Sequence, residues 1–274
     1  MSLENIEVGS FAAPESRAQL DVFRVVSWNI NRGYCFDQIV DFLASTNADL
    51  ILLQECDVNA VRTGRRNIAR EIAQTLQMNY AFGTEFIELS QGQSALHGQA
   101  TFARTELSNP RVLRFAHQSN FWQPRWFLPN LSPLQRRLGG RMALVSETSL
   151  DQKDVVLYNI HLESRSADGL RIRQTHDISE DSRRYGPNVP VIVAGDFNCD
   201  VTQDALSTVI YNGQFRNPFA EKRLKPTTVS RKLGPTRVID CILHRAVLGS
   251  YSPTVHASIP GSDHFPLSLT LRLS

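Results

Sequence analysis

The chain has 274 residues, 42% of them hydrophobic and 20% charged, and its net charge is +2. This composition is that of an ordinary globular protein, and so small a total charge gives no argument for binding polyanions. The four cysteines have no CxxC spacing, which argues against a disulfide framework. Neither a transmembrane run nor an apolar signal segment is visible, so a cytoplasmic protein is the expectation.

The first part of the chain predicts a leader followed by alternating strands and helices. Residues 1–20 lack periodicity and are expected to form a flexible leader, with a single domain over 21–274. Residues 22–28 and 50–53 favour strands, and helical spacing follows each of them at 36–46 and 64–77. Further strands are predicted at 80–88, 98–104 and 111–116. Residues 118–140 are rich in aromatic residues and proline, which favours an irregular segment.

The second part repeats the alternation. Strands are predicted at 141–148 and 153–160, and a mostly polar helix at 166–183. The apolar run 189–194 ends at Gly195 and predicts a strand that is buried on both faces. A helix near 202–210, a basic loop over 217–236, and strands at 238–243 and 265–271 complete the chain.

Polar side chains follow these apolar strands where each strand ends or begins. They are Asn29, Asn31, Glu55, His161, Asp196, Asn198, Asp240, Asp263 and His264. One such group indicates only a strand-ending turn, because Gly, Asp and Asn are turn formers. Six groups along one chain favour a common site instead. Carboxylates crowded into one pocket repel each other, and a hard divalent cation held by oxygen ligands relieves that repulsion. Such a cation beside imidazoles suits the hydrolysis of a phosphoester.

The motifs at these strand ends, taken together and in order, resemble the endonuclease/exonuclease/phosphatase (DNase I-like) superfamily. They are Ser27-Trp28-Asn29, Leu53-Gln54-Glu55, Asn159-Ile160-His161-Leu162, Gly195-Asp196-Phe197-Asn198, Ile239-Asp240 and Ser262-Asp263-His264-Phe265. The resemblance implies an α/β fold: a four-layer α/β/β/α sandwich of two mixed β-sheets. It also implies a Mg²⁺ cofactor, for which Mn²⁺ is a substitute.

The resemblance implies a role for each matching residue. Glu55 would be the principal metal ligand, with Asn29 and Asp263 completing or adjoining the metal shell. Asp196 would orient and deprotonate the attacking water, and Asn198 would hold Asp196. His264, supported by Asp240, would contact the phosphate, while His161 would stabilise the transition state.

The resemblance leaves the substrate open. His161 stands where exonuclease III-type enzymes use tyrosine, and the residues after it are nearest to the tyrosyl-DNA phosphodiesterase and deadenylase-like branch. The expected substrate is therefore a phosphodiester in DNA or RNA, and no protein partner is implied. Asn31 and Arg171 are candidate substrate-binding residues, although Arg171 is equally suited to bracing the loop after His161.

An aromatic segment keeps a second substrate class open. Trp122 and Trp126 are suited to stacking on unpaired bases or to peripheral contact with a membrane, as in a sphingomyelin or phospholipid phosphodiesterase. Packing over the sheet is an equally good interpretation.

Overall fold

The computed structural model describes residues 3–13, 21–119, 121, 127, 129–165, 168–200, 207, 210, 213–220, 225–230, 234–235, 237–245 and 247–273. The strands are β1 (Ile6–Gly9), β2 (Val22–Arg32), β3 (Leu50–Val58), β4 (Asn79–Glu88), β5 (Leu96–Ala103), β6 (Leu107–Arg114), β7 (Arg137–Gly139), β8 (Met142–Leu150), β9 (Lys153–His161), β10 (Val191–Asp196), β11 (Phe215–Arg216), β12 (Val229–Ser230), β13 (Gly234–Pro235), β14 (Asp240–Arg245), β15 (Leu248–Val255) and β16 (Leu267–Leu273). The helices are α1 (Phe36–Thr46), α2 (Ile68–Leu76) and α3 (Asp168–Ser182). None of these described helices has the length and apolarity of a membrane span.

Two mixed sheets form the centre of the described fold. In the first sheet the strands are ordered β1-β4-β5-β3-β2-β16-β15, with β7 also paired to β4. In the second sheet the order is β11-β14-β10-β9-β8-β6. The pairs β2–β3 and β9–β10 are parallel, and their neighbours are antiparallel, so both sheets are mixed.

Strand alternation divides the apolar side chains of the first sheet between two cores. On β2, Val26 and Trp28 pack with residues of α1 and α2, whereas Phe23 and Val25 belong to the core that joins the two sheets. On β10, all six residues are buried, as expected for a strand that is covered on both faces. The layers therefore run helix, sheet, sheet, helix, and the predicted four-layer α/β/β/α sandwich is confirmed.

The helix boundaries follow local capping. Residues 36–46 form α1 as predicted, and Asn47 ends it in the left-handed conformation. The second helix is shorter than the predicted 64–77 because Asn67 caps it, its side chain accepting a hydrogen bond from the Arg70 amide at 3.0 Å.

The expectation of a flexible leader over residues 1–20 is wrong for Ile6–Gly9, which form β1 at the edge of the first sheet. The side chain of Glu7 holds this strand, because it accepts hydrogen bonds from Asn67 and from the Tyr80 hydroxyl. A polar residue thus supplies contacts that the apolar periodicity did not reveal.

Two further expectations need correction or fall outside the described residues. The segment 118–140 is not irregular throughout, since Arg137–Gly139 pair with β4. Strand β15 was not predicted, because its Pro253 and Gly249 are unfavourable in a strand; it lies at a sheet edge, where proline is tolerated. The helix expected at 202–210 falls largely outside the described residues.

Candidate active site

Three predicted site residues lie side by side on adjacent strands of the second sheet. The parallel register of β9 and β10 pairs Asp196 with His161, and the antiparallel register of β10 and β14 pairs Asp196 with Asp240. Paired residues on neighbouring strands project from the same face of a sheet. The fold therefore places an imidazole and two carboxylates in one row at the end of the sheet.

Gly195 is required for this arrangement. Its φ is +146°, and a Cβ atom placed there would lie 2.0 Å from the carbonyl oxygen of Ile160. A side chain at this position would force β9 and β10 apart just where His161 and Asp196 meet. The glycine of the Gly-Asp-Phe-Asn motif thus permits close strand pairing.

Asp196 is the centre of the site. Its Oδ1 accepts a hydrogen bond from the backbone N–H of Asn198 at 2.8 Å, and its Oδ2 accepts one from the Asn29 amide at 3.1 Å. The Nε2 atoms of His161 and His264 lie 3.6 and 3.7 Å from the same Oδ2. This buried carboxylate therefore has two imidazoles and one amide around a single oxygen.

Asn198 holds the turn that follows Asp196. Its backbone is left-handed, with φ 51°, and its side-chain amide donates to the Leu162 carbonyl oxygen at 3.0 Å. Asparagine tolerates this conformation better than most residues. The predicted i, i+2 pair, Asp196 and Asn198, therefore forms a hydrogen-bonded turn in which Asn198 bonds both to Asp196 and to the residue that follows β9.

His264 and Asp240 form a hydrogen-bonded pair. The Nδ1 atom of His264 lies 2.9 and 3.0 Å from the two carboxylate oxygens of Asp240. Burial alone would lower the pKa of His264, but Asp240 and Asp196 outweigh it and raise this pKa to about 10. The imidazole is consequently an imidazolium at neutral pH.

Glu55 reaches the site through a bulge in β3. Its φ is 57°, and the pairing of β3 with β5 shifts register between Leu53 and Cys56. With strict alternation, the side chain of Glu55 would lie on the helix-covered face of the sheet, together with that of Leu53. The bulge turns the Glu55 side chain away from that face and towards the site. The Asn29 amide lies 3.4 Å from Glu55 Oε1, which joins this carboxylate to Asp196 through one side chain.

The surroundings of Glu55 are positive. Burial by itself raises the pKa of this carboxyl group, but His97, His161, Arg32 and His264 more than compensate and hold the pKa well below its usual range. The Nη2 atom of Arg32 lies 3.9 Å from Oε2. Glu55 is thus an ionised, half-buried carboxylate at the end of its strand.

A buried acid that the sequence analysis missed lies behind His161. Glu85 Oε2 is 3.4 Å from the Nδ1 atom of His161, and Oε1 accepts a hydrogen bond from Arg141 at 2.6 Å. Burial raises the pKa of Glu85, but Arg141 and His161 outweigh it and lower this pKa to about 2. The available signal was the acid Glu85 in the interior of the predicted strand 80–88, since a buried carboxylate requires a cationic partner.

The two sheets are also joined by amides directly beneath the site. Gln54, the residue before Glu55, donates to the side-chain oxygen of Asn159 at 2.8 Å. Asn159 in turn donates to the backbone carbonyls of Leu53 and Ala100 at 3.0 and 2.9 Å. Both side chains are fully buried, so this link fixes one sheet against the other.

Oxygen donors suited to a divalent cation are close together here. Asp196, Asp240 and His264 offer ligand atoms that all lie within 4.8 Å of one another. Asp240 and His264 already satisfy each other by hydrogen bonding, however, whereas the contacts of Glu55 with Asn29 and Arg32 are long. The carboxylate of Glu55, with Asn29 beside it, is therefore the donor that best fits a hard cation.

The remaining predicted site residues occupy different positions. Asn31 and Asp263 line a cleft beside the carboxylates, and Asp263 is exposed. Arg171 donates to the Glu163 carbonyl oxygen and to Asp168, at 2.7 and 2.6 Å, which favours the bracing role over contact with substrate. Trp122 and Trp126 lie outside the described residues.

Comparisons with known proteins identify the family and the fold. The profile of the Endonuclease/Exonuclease/phosphatase family matches residues 26–264, whereas the curated proteins gave no match. Among solved structures, the catalytic domain of human Nocturnin with bound sulfate is 16% identical with a TM-score of 0.68, covering 99% of this chain and 98% of that one. The mannosyl-6-phosphatase of Bacteroides thetaiotaomicron VPI-5482 is 16% identical with a TM-score of 0.67, covering 91% and 99%. TDP2 from C. elegans is 17% identical with a TM-score of 0.62, covering 92% and 75%.

These structures share the fold at low identity, and the family profile spans every motif from Trp28 to His264. The resemblance derived from the six motifs is confirmed. The chain belongs to the Endonuclease/Exonuclease/phosphatase family.

Proposed function

We propose that the protein is a divalent-metal-dependent phosphoester hydrolase that acts on phosphodiesters of DNA or RNA. The observation that carries the proposal is the environment of Asp196, whose Oδ2 faces the Asn29 amide, His161 and His264 within 3.7 Å. A carboxylate that can accept a proton, next to cationic and amide donors, is what an attack by water on a phosphorus atom requires.

Asp196 is assigned as the general base. Its Oδ1 is held by the Asn198 backbone, which leaves Oδ2 to face the substrate side of the site. The His264 imidazolium, kept charged by Asp240, would donate to a non-bridging phosphate oxygen. His161, set against Glu85, would donate to a second oxygen as negative charge develops in the transition state.

Glu55 is assigned as the principal ligand of a Mg²⁺ ion, or of Mn²⁺ as its substitute. Asn29 and Asp263 would adjoin that ion. When bound, the metal polarises a phosphate oxygen and offsets the repulsion among the carboxylates. The ionised state of Glu55 suits this role, because a metal ligand must be deprotonated.

The test is hydrolysis of a substrate panel in Mg²⁺ by the wild type and by Asp196→Asn. Loss of the general base should lower the rate by on the order of 10²–10⁴-fold. Asp154→Asn is the matched control, since Asp154 is exposed at the opposite end of the strand that carries His161. Chelation by EDTA should abolish hydrolysis, and added Mg²⁺ or Mn²⁺ should restore it. An unchanged rate in Asp196→Asn would remove the general-base assignment.

Exposed apolar side chains favour a second candidate, a lipid phosphodiesterase. Phe121, Phe127 and Leu131 belong to one segment of the chain and are each 58–61% exposed. Side chains of this kind are suited to a bilayer interface. The panel therefore includes single-stranded DNA, duplex DNA, RNA and vesicles containing sphingomyelin; turnover of the vesicles alone would replace the nuclease proposal with the lipid one.

A further inference from the structure

A cleft of about 800 Å³ opens beside the predicted metal ligands. One wall comes from the end of β2, the turn that follows it and the first turn of α1, and contains Asn31, Tyr34 and Gln38. The other wall comes from the segment before β16 and contains Pro260, Ser262 and Asp263.

Both walls are tied to residues of the site. The backbone N–H of Asn31 donates to the side-chain oxygen of Asn29 at 3.1 Å. On the other side, the Ser262 hydroxyl donates to the Asn29 backbone carbonyl at 2.7 Å and accepts from the His264 N–H at 3.1 Å. Both walls of the cleft are therefore anchored to site residues, and a group esterified to a phosphate bound at the site would lie next to the cleft.

Tyr34 is the aromatic face of this cleft. It is 51% exposed, and the guanidinium carbon of Arg32 lies 5.8 Å from its ring centroid. The backbone that presents it is a left-handed turn, with φ 44°, 68° and 79° at Asn31, Arg32 and Gly33. Gly33 packs against Ile68 of α2, so closely that a Cβ atom would lie 2.9 Å from Ile68. The turn that carries the exposed Tyr34 ring is therefore packed against α2.

We infer that this cleft is a nucleobase subsite in which Tyr34 stacks on an unpaired base, with Asn31 and Gln38 facing the edge of that base. The inference rests on the proposed function and specifies its substrate class. A planar base gains stacking energy from an exposed tyrosine, and side-chain amides carry both the donor and the acceptor that base edges need. A lipid headgroup or a simple sugar phosphate lacks the aromatic plane.

The chain offers a matched control for Tyr34. Tyr251 is 47% exposed on β15, with the guanidinium carbon of Arg272 lying 5.4 Å from its ring centroid. It does not line the cleft. Tyr34→Ala should raise the KM for a dinucleotide by about tenfold and leave kcat within about twofold, as expected for the loss of one stacking contact. Tyr34→Phe and Tyr251→Ala should both retain the wild-type KM, and an abasic dinucleotide should be cleaved equally by all four proteins.

Binding is testable without turnover because Cys35 also lines the cleft. Cys35 is exposed, whereas Cys56, Cys199 and Cys241 are buried, so a bulky maleimide should react at Cys35 first. The rate of Cys35 alkylation is followed by mass spectrometry with Mg²⁺ and either adenosine 5′-monophosphate or ribose 5-phosphate at equal concentration. Remaining ligand is quantified at the end of each reaction.

The expected result is that adenosine 5′-monophosphate slows alkylation several-fold and ribose 5-phosphate does not. The protection should vanish in Tyr34→Ala and persist in Tyr34→Phe and Tyr251→Ala. Equal protection by both ligands, protection by neither, or protection that survives Tyr34→Ala would overturn the subsite. If adenosine 5′-monophosphate protects Cys35 but the protein hydrolyses no phosphoester, the subsite is retained and the proposed function is rejected. If the protein hydrolyses a phosphoester but adenosine 5′-monophosphate gives no such protection, the proposed function is retained and the subsite is rejected.

Discussion

Glu85 provides a quantitative test of how the site is supported. Its carboxylate is fully buried between Arg141 and His161, and its pKa is lowered from 4.5 to about 2. Replacing Glu85 with Gln removes the charge while keeping the shape of the side chain. We expect the variant to be less stable at neutral pH, because the buried Arg141 loses the carboxylate that pairs with it.

The sign and size of the pH dependence follow from the shift. A folded-state pKa below the unfolded one contributes stability that is present above about pH 4.5 and is lost as the pH falls through about 2. A shift of about 2.5 pKa units corresponds to about 3 kcal/mol, of which about 2 kcal/mol should be lost by pH 3. The stability difference between the wild type and Glu85→Gln should therefore narrow on acidification.

Urea denaturation of both proteins at pH 7, 5, 4 and 3 measures this difference directly. Glu106→Gln is the control, since Glu106 is exposed and its replacement should change the free energy of unfolding by less than about 0.5 kcal/mol at any of these pH values. A stability difference for Glu85→Gln that stays constant from pH 7 to pH 3 would refute the assignment of a low pKa to this carboxyl group.

Three other substitutions test parts of the framework. Gly195→Ala should destabilise the fold by more than about 3 kcal/mol, because the added Cβ would lie 2.0 Å from the Ile160 carbonyl oxygen. The control is Gly186→Ala, whose added Cβ would meet no described heavy atom within 4 Å, and thermal unfolding should show no such loss for it. Asn67→Ala should cost at least about 1 kcal/mol in urea denaturation, since it removes the cap of α2 and the hydrogen bond to Glu7; an unaltered midpoint would contradict both contacts. Asn159→Leu should cost about 2–3 kcal/mol, since it removes the amide that bridges the sheets; a neutral effect would show that the bridge is dispensable.

In the second sheet, the predicted strand ends meet because of the strand register. Gly195 precedes Asp196 directly, and a continuous apolar run predicts a strand that ends there. Once β9, β10 and β14 are neighbours, His161, Asp196 and Asp240 must meet. Apolar periodicity predicts where each of these strands ends, and the sheet order seen in the structure makes them neighbours.

The features that the sequence did not predict depend on local irregularity or on long-range pairing. Glu55 turns towards the site through a left-handed residue within β3, and periodicity does not reveal bulges. Glu85 likewise sits where β4 and β5 shift register, between Thr84 and Phe86. Its partner Arg141 lies 56 residues further along the chain. The pattern of apolar and polar residues therefore predicts neither the two bulges nor the pairing of Glu85 with Arg141.

The position of one sheet relative to the other controls the proposed chemistry. The first sheet carries Asn29 and Glu55, and the second carries Asp196 and its neighbours. The contacts between these two halves include the 3.1 Å hydrogen bond from Asn29 to Asp196, with the Gln54–Asn159 bond beneath it. A shift of one sheet by about 1 Å would separate Asn29 and Glu55 from Asp196, although every residue would keep its place in its own strand. Misplacement of catalytic groups on this scale can lower the rate by on the order of 10²-fold. The buried amides between the sheets therefore act as positioning residues, and a substitution there should lower kcat more than it raises KM.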